Sequence, residues 1–230
     1  MTKISKRFKQ LKSLVTQESY SLVEAISLLK KLQSTKFIES VEAHIALNIN
    51  PKYTDQQLRA SVTLPHGTGQ KLKIAVLAEL ENKTTFLEQG ADIVGNEDLL
   101  TEISQENINF DILITTPSLM PKLTKLGKIL GPKSLMPSPK AGTVVQNISE
   151  AIQEFRKGKI EYRTDKTGIV HLAFGKTTFL ESNLQENLLK IYESIEKNKP
   201  ATIKGKYFKT IYICTSMSPS IRLNLNTFKI

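Results

Sequence analysis

Side chains able to do chemistry are few and scattered along the 230 residues. His44, His66 and His171 stand far apart, and no two have the spacing of a metal-binding pair on one element. Each is expected to be a structural histidine satisfied by a neighbour. Cys214 is the single cysteine, so neither an intrachain disulfide nor a cysteine-based zinc site is expected. In its strand-like setting the thiol should behave as an inert small apolar group. Glu97-Asp98 opens a helical pattern, where acids complement the helix dipole rather than catalyse. Gly67-Thr68-Gly69 precedes a strand-like run and lacks the third glycine and strand–turn–helix setting of a dinucleotide fingerprint. The loop 131–142 holds no Gly-Lys-Ser/Thr, and Gly-x-Ser-x-Gly does not occur. These residues predict no catalysis, no cofactor and no metal.

Charge is more informative. Lys and Arg number 32 against 22 Asp and Glu, a formal net charge of +10, which favours a polyanionic partner, nucleic acid first. The surplus is unevenly placed. Residues 1–66 carry 10 basic and 5 acidic side chains, residues 67–156 carry 9 and 11, and residues 157–230 carry 13 and 6. Two basic outer segments around a slightly acidic middle predict one basic lobe made from both ends and an inserted domain. Within the middle, residues 112–149 contain no acid and five lysines, Lys122, Lys125, Lys128, Lys133 and Lys140, a second surface suited to a polyanion. The longest apolar runs fall short of the ~18–20 residues a membrane span needs, and the basic start has no signal-peptide core.

The elements that must position these groups follow from periodicity. Lys3, Lys6, Arg7, Lys9 and Lys12 space their charges as a helical face would. Ser21 followed by Glu24 forms a capping-box pattern ahead of a helix over 21–32. Alternation predicts strands over 41–49 and 58–64, the second ending at Pro65-His66-Gly67-Thr68-Gly69, a turn-rich boundary. In the middle, apolar runs at 72–78 and 111–115 alternate with helical patterns at 84–89, 96–104, 117–126 and 149–157, which predicts a parallel sheet covered on both faces. Three prolines and two glycines make 131–142 a stiff, extended loop. Strands over 160–163 and 169–174 flank the hairpin Thr164-Asp-Lys-Thr-Gly168, a long amphipathic helix carries Leu184, Leu188, Ile191 and Ile195, and 209–216 alternates again.

Several motifs occur together and in order: Leu64-Pro-His-Gly-Thr-Gly69, Gly90-Ala-Asp-Ile-Val-Gly95, Phe110-Asp111 with Thr116-Pro117, and Leu126-Gly-Lys-Ile-Leu-Gly-Pro-Lys133. Leu135-Met-Pro-Ser-Pro-Lys140, Asp165-Lys-Thr-Gly168, Lys204-Gly205 and Met217-Ser-Pro219 follow. With these the chain resembles, over essentially its whole length, the L-one family of large-subunit ribosomal proteins. The resemblance implies an α/β protein of two domains. Domain I, residues 1–66 with 157–230, is an α/β sandwich that holds large-subunit rRNA. Domain II, residues 67–156, is an inserted Rossmann-like three-layer α/β/α unit on a two-strand hinge. The family forms the mobile stalk that accompanies release of exit-site tRNA, and in bacteria it also represses its own messenger. A monomer when free, a ribosome-bound place in the plastid stroma, and otherwise the bacterial cytoplasm, complete the expectation; 27 of the 32 basic residues are lysine, as in AT-rich genomes.

By the same resemblance, Lys36, Phe37 and Ser40 contact RNA at the end of the first capped helix. Asp165, Lys166, Thr167 and Gly168 form a hairpin near the RNA, with His171 on the strand after it. Thr215, Ser216, Met217, Ser218 and Pro219 match a Thr-Met-Gly-Pro loop. Ser218 replaces the usual glycine and puts a Cβ where a positive φ or close backbone approach is expected. Lys133-Ser134 replaces a frequent Arg-Gly, and Lys125, Lys128, Lys133 and Lys140 are the tRNA-facing charges. Two rivals remain, a free repressor bound to messenger and a nucleotide-dependent enzyme using the insert; co-sedimentation with large subunits and equilibrium dialysis with nucleotides separate them.

Overall fold

The computed structural model describes residues 4–78 and 83–228. Lys3 of the basic opening run lies outside them. Contacts divide the chain into two compact units, Met1–Gly69 with Glu161–Ile230, and Gln70–Ile160.

The first unit is built on a four-stranded antiparallel sheet in the order β7-β1-β8-β9, with β1 Ser40–Leu47, β7 Ile169–Lys176, β8 Phe208–Thr215 and β9 Ile221–Leu223. Strands from the two ends of the polypeptide therefore share one ladder. Alternation decides its two faces. Val41, Ala43, Ile45, Val170, Phe174, Ile211, Ile213 and Ile221 point inward and are buried. Helices α2 (Leu22–Lys31) and α8 (Glu181–Lys197) cover that side with Ala25, Ile26, Leu29, Leu184, Leu188 and Ile191. The opposite face carries Glu42, His44, His171, Ala173, Tyr212 and Cys214, half-buried or exposed. The capping box at α2 is complete: the Glu24 N–H donates to Ser21 Oγ, and the Ser21 N–H to Glu24 Oε2. A short basic helix α1 (Lys6–Ser13) precedes it, and β2 (Arg59–Thr63) pairs with β6 (Lys159–Arg163) in a separate two-stranded sheet.

Asn187 of α8 is fully buried and ties Phe174, the residue that the β1–β7 register skips, to the turn at residues 66–67. Its amide donates to the carbonyls of Phe174 (2.8 Å) and Gly67 (2.9 Å), and its Oδ1 accepts from the His66 N–H (3.2 Å). A buried polar group is tolerated here because each of its bonds is made.

The second unit is a parallel sheet, order β4-β3-β5, from β3 Ile74–Leu77, β4 Ile93–Gly95 and β5 Ile112–Thr115. Both faces of β3 are buried. Ile74 and Val76 pack with Phe86 of α3 (Lys83–Glu88) and with Ile148, Ile152 and Phe155 of α7 (Ile148–Arg156). Ala75 and Leu77 pack with Leu99 and Ile103 of α4 (Glu97–Ser104), Leu123 of α5 (Met120–Thr124) and Leu130 of α6 (Gly127–Leu130). Helices thus cover both sides of the sheet, which is why β3 reads as an unbroken apolar run. The proline-rich loop is less uniform than an extended segment: residues 131–134 turn, and Pro139–Ala141 forms a 3₁₀ turn. Ser134 sits in the left-handed region at φ 58°.

Candidate nucleic-acid interface

The expected RNA-facing residues fall into two groups at opposite ends of β1. Register settles this: Ser40 and Val41 lie opposite Lys176 and Thr215, whereas Ala46 lies opposite Ile169, which follows the hairpin. Six residue steps of a strand separate the groups by roughly 20 Å.

At the first end, the loop leaving α2 is turned inside out. Glu39 is 1% exposed, while Phe37 is 53%, Ile38 60% and Met217 46% exposed. Lys36 is exposed as well. The Thr35 hydroxyl lies 2.6 Å from Glu39 Oε1 and 3.1 Å from the Phe37 carbonyl, holding the tight bend that pushes Lys36, Phe37 and Ile38 outward. Glu39 Oε2 is buried with no hydrogen-bond partner among the described residues. An exposed apolar cluster over a buried carboxylate reverses the usual partition, and such reversals mark binding surfaces.

The second loop is stitched to this one. The Ser40 N–H donates to Ser216 Oγ (3.3 Å), and the Ser216 N–H donates to the Ser40 carbonyl (3.2 Å). Lys176 Nζ donates to Ser40 Oγ (2.8 Å). Arg7 of α1 spans both loops, with Nη1 on Ser34 Oγ (3.0 Å) and Nη2 on the Met217 carbonyl (3.5 Å). Sequence reasoning did not place Arg7 or Lys176 at the site. The basic opening run was a signal for Arg7, and nothing local distinguished Lys176.

Within 215–219 the residues differ in access. Ser216 and Met217 are exposed, Ser218 is half-buried, and Thr215 and Pro219 are buried. The Thr215 hydroxyl is turned inward, so that residue shapes the loop. Ser218 departs from expectation. Among the described residues only Glu106 and Ser134 are non-glycine positions with positive φ, so Ser218 needs no glycine conformation. Its hydroxyl closes the turn instead, accepting the Thr215 N–H (2.9 Å) and donating to the Pro219 carbonyl (3.1 Å), while its own N–H meets the Thr215 carbonyl (3.2 Å).

At the far end, Asp165 organises the hairpin. Its Oδ1 accepts the N–H groups of Thr167 and Ile169, both at 2.8 Å, and Thr167 Oγ1 approaches both carboxylate oxygens. Burial works to raise the Asp165 pKa, but the Ile169, Thr167 and His171 hydrogen bonds outweigh it and hold the carboxyl well below the ordinary range. Gly168 supplies the positive φ of 83° that ends the turn. Lys166 and Thr167 are left exposed at the tip.

Between the two ends, strand pairing joins residues that are distant in sequence. His44 and His171 are direct cross-strand partners with Nδ1 atoms 2.8 Å apart, and His171 Nε2 lies 3.4 Å from Asp165 Oδ2. His44 Nε2 lies 3.3 Å from Cys214 Sγ. Each histidine has a neighbour, as expected, but the pairing of His44 with His171 comes from period-two alternation and register, not from sequence spacing. Burial, then the neighbouring His171 charge, lowers the His44 pKa, and burial followed by Glu42 pushes the Cys214 thiol up to about 11. His66 is satisfied separately by Glu186 (2.7 Å).

In the second unit Lys125, Lys128, Lys133 and Lys140 are all exposed: Lys125 caps the C-terminus of α5, Lys128 lies on α6, and Lys133 and Lys140 lie on the turns that follow. None pairs with a carboxylate among the described residues, in contrast to Lys122, which meets Glu97 at 3.1 Å.

Comparison with known proteins decides the family. The ribosomal protein L1p/L10e family matches residues 29–219. The chain belongs to this family. It is similar to large ribosomal subunit protein uL1c of Cyanidioschyzon merolae, 59% identical over 97% of this chain and 98% of that one. Similarity to uL1c of Trieres chinensis is 55%, covering 99% of this chain and 100% of that one. To large ribosomal subunit protein uL1 of Prochlorococcus marinus it is 51%, covering 100% and 97%. The L1 family is a structural, non-enzymatic one.

Proposed function

We propose that this chain is a structural constituent of the large ribosomal subunit, binding large-subunit rRNA directly through the unit built from both termini. The observation that carries this reading is the inverted loop: Glu39 buried, with Lys36, Phe37 and Ile38 facing solvent beside Ser216 and Met217. A lysine beside an exposed ring suits RNA, because charge meets phosphate while the ring packs on ribose or an unstacked base. Ser40, hydrogen-bonded into the same seam, positions the two loops. Lys166 and Thr167, on the hairpin shaped by Asp165 and Gly168, make a second contact roughly 20 Å away, and His171 lies between. Two separated grips favour a folded RNA element over plain duplex, whose deep, narrow groove hides its sequence.

The insert Gln70–Ile160 moves as a body on the two chain crossings and meets exit-site tRNA with Lys125, Lys128, Lys133 and Lys140. Lysines there act as point charges and forgo the bidentate grip of arginine. The lysine-rich composition and the similarity to uL1c proteins support a plastid ribosome. Crosslinking in native ribosomes, with RNA mapping, tests the assignment: adducts at Phe37 and Met217 should fall in one large-subunit rRNA element. Co-sedimentation with large subunits should survive high salt. Adducts confined to messenger RNA would make the protein a free translational repressor and overturn the ribosomal reading.

A further inference from the structure

We propose that Glu42, His44 and Cys214 form a binding site for one zinc-class divalent metal ion on the helix-free side of the four-stranded sheet. Glu42 and His44 stand two residues apart on β1 and so project to the same face. Cys214 of β8 lies directly opposite Glu42 in the register. His44 Nε2 is 3.3 Å from Cys214 Sγ and 3.9 Å from Glu42 Oε2, and the three donor atoms all lie within 4.8 Å of one another. Bonds of about 2.3 Å to sulfur and about 2.0–2.2 Å to nitrogen and oxygen, at tetrahedral angles, place such donors about 3.3–3.6 Å apart. Small rotamer shifts close the remaining gap. Thiolate, imidazole and carboxylate together suit zinc, and the hard oxygen-seeking ions magnesium and calcium would gain nothing from the sulfur.

The surroundings prepare His44 for this task. With His44 Nδ1–H donating to His171 Nδ1 (2.8 Å), the Nε2 lone pair is left for the metal. His171 Nε2–H then faces Asp165 Oδ2 (3.4 Å). A carboxylate–histidine–histidine chain thus fixes the tautomer and ring angle of the ligand. Glu42 and His44 side chains are 37% and 31% exposed, which leaves an entry path and a fourth position for water. On binding, the Cys214 proton passes to solvent, and the metal then ties β1 to β8. The site revises the sequence-level expectation that a single cysteine precludes zinc: one thiol suffices when register supplies the other donors.

The test is a titration of the untagged, reduced, chelator-treated full chain with cobalt(II), followed by zinc(II). A thiolate-to-cobalt charge-transfer band should rise to saturation at one equivalent and be abolished by one equivalent of zinc. Cys214→Ser should lose the band with an unchanged circular dichroism spectrum. Glu42→Gln should keep the band with weaker affinity, and His171→Asn, which removes a positioning residue, should weaken binding about 10–100-fold. Absence of the band in the unmodified chain overturns the site. So does its persistence in Cys214→Ser, or unchanged affinity in Glu42→Gln or His44→Gln.

Discussion

Lys36 and Phe37 are adjacent yet should fail in different ways when replaced. Phe37 is 53% exposed, so Phe37→Ala removes little packing and should change folding stability by less than about 0.5 kcal/mol. If the ring stacks on a base, its loss costs about 1–3 kcal/mol of RNA binding, or about 5–150-fold, at every salt concentration. Lys36 is exposed and pairs with no carboxylate among the described residues, so Lys36→Gln also spares the fold. A lost phosphate contact instead lowers the slope of log K against log salt by about 0.7–0.9. Between about 50 and 200 mM salt, a fourfold rise, the deficit of Lys36→Gln should therefore shrink by about threefold, while that of Phe37→Ala stays constant. Filter binding to fragments of large-subunit rRNA over a potassium chloride series measures both. Parallel salt dependences for the two variants, or a loss of more than about 1 kcal/mol of stability in Phe37→Ala, would refute the inverted-loop reading.

Asn187→Leu removes three hydrogen bonds and strands the buried Phe174 carbonyl along with the part-buried Gly67 carbonyl and His66 N–H, which should cost about 2–4 kcal/mol in urea denaturation at unchanged m-value. A loss below about 1 kcal/mol would mean that water replaces the amide. Asp165 has a folded pKa below its unfolded value near 3.9, so its stabilisation is present above about pH 4 and fades as pH falls toward the folded value. The stability gap between the unmodified chain and Asp165→Asn should thus close in urea titrations taken from about pH 6 down to about pH 2. Phe37→Ala and Lys166→Ala, at opposite ends of β1, should be additive in RNA binding within about 0.5 kcal/mol in a double-mutant cycle.

Long periodic elements were legible from the chain alone. The Ser21 and Glu24 pair marked the start of α2, and four apolar residues at three- and four-residue steps marked α8. Alternation from Val41 onward gave β1, and the unbroken apolar run gave β3 buried on both faces. Strands β4 and β9 were not legible, because three residues are too short for any period to show. Ser218 was misjudged because a residue type suggests a backbone angle without fixing it, and a hydroxyl can close a turn that glycine would otherwise allow.

The site itself was legible as a set of motifs but not as a shape. Sequence order places Phe37, Lys166 and Met217 in three unrelated segments. Only the register of β1 against β7 and β8 puts the first and last together and the second some 20 Å away. The same register has a consequence that no motif carries. Because side chains alternate, choosing Val41, Ala43 and Ile45 for the core commits Glu42 and His44 to the outer face, where β8 must present Cys214 and β7 must present His171. A slip of β1 by one residue would bury Glu42 and His44 and expose Val41, Ala43 and Ile45, a cost the apolar core cannot meet. The hydrophobic pattern that folds the sheet is therefore also what assembles its polar face, and chemistry scattered over 170 positions becomes a single cluster without any local signal in the chain.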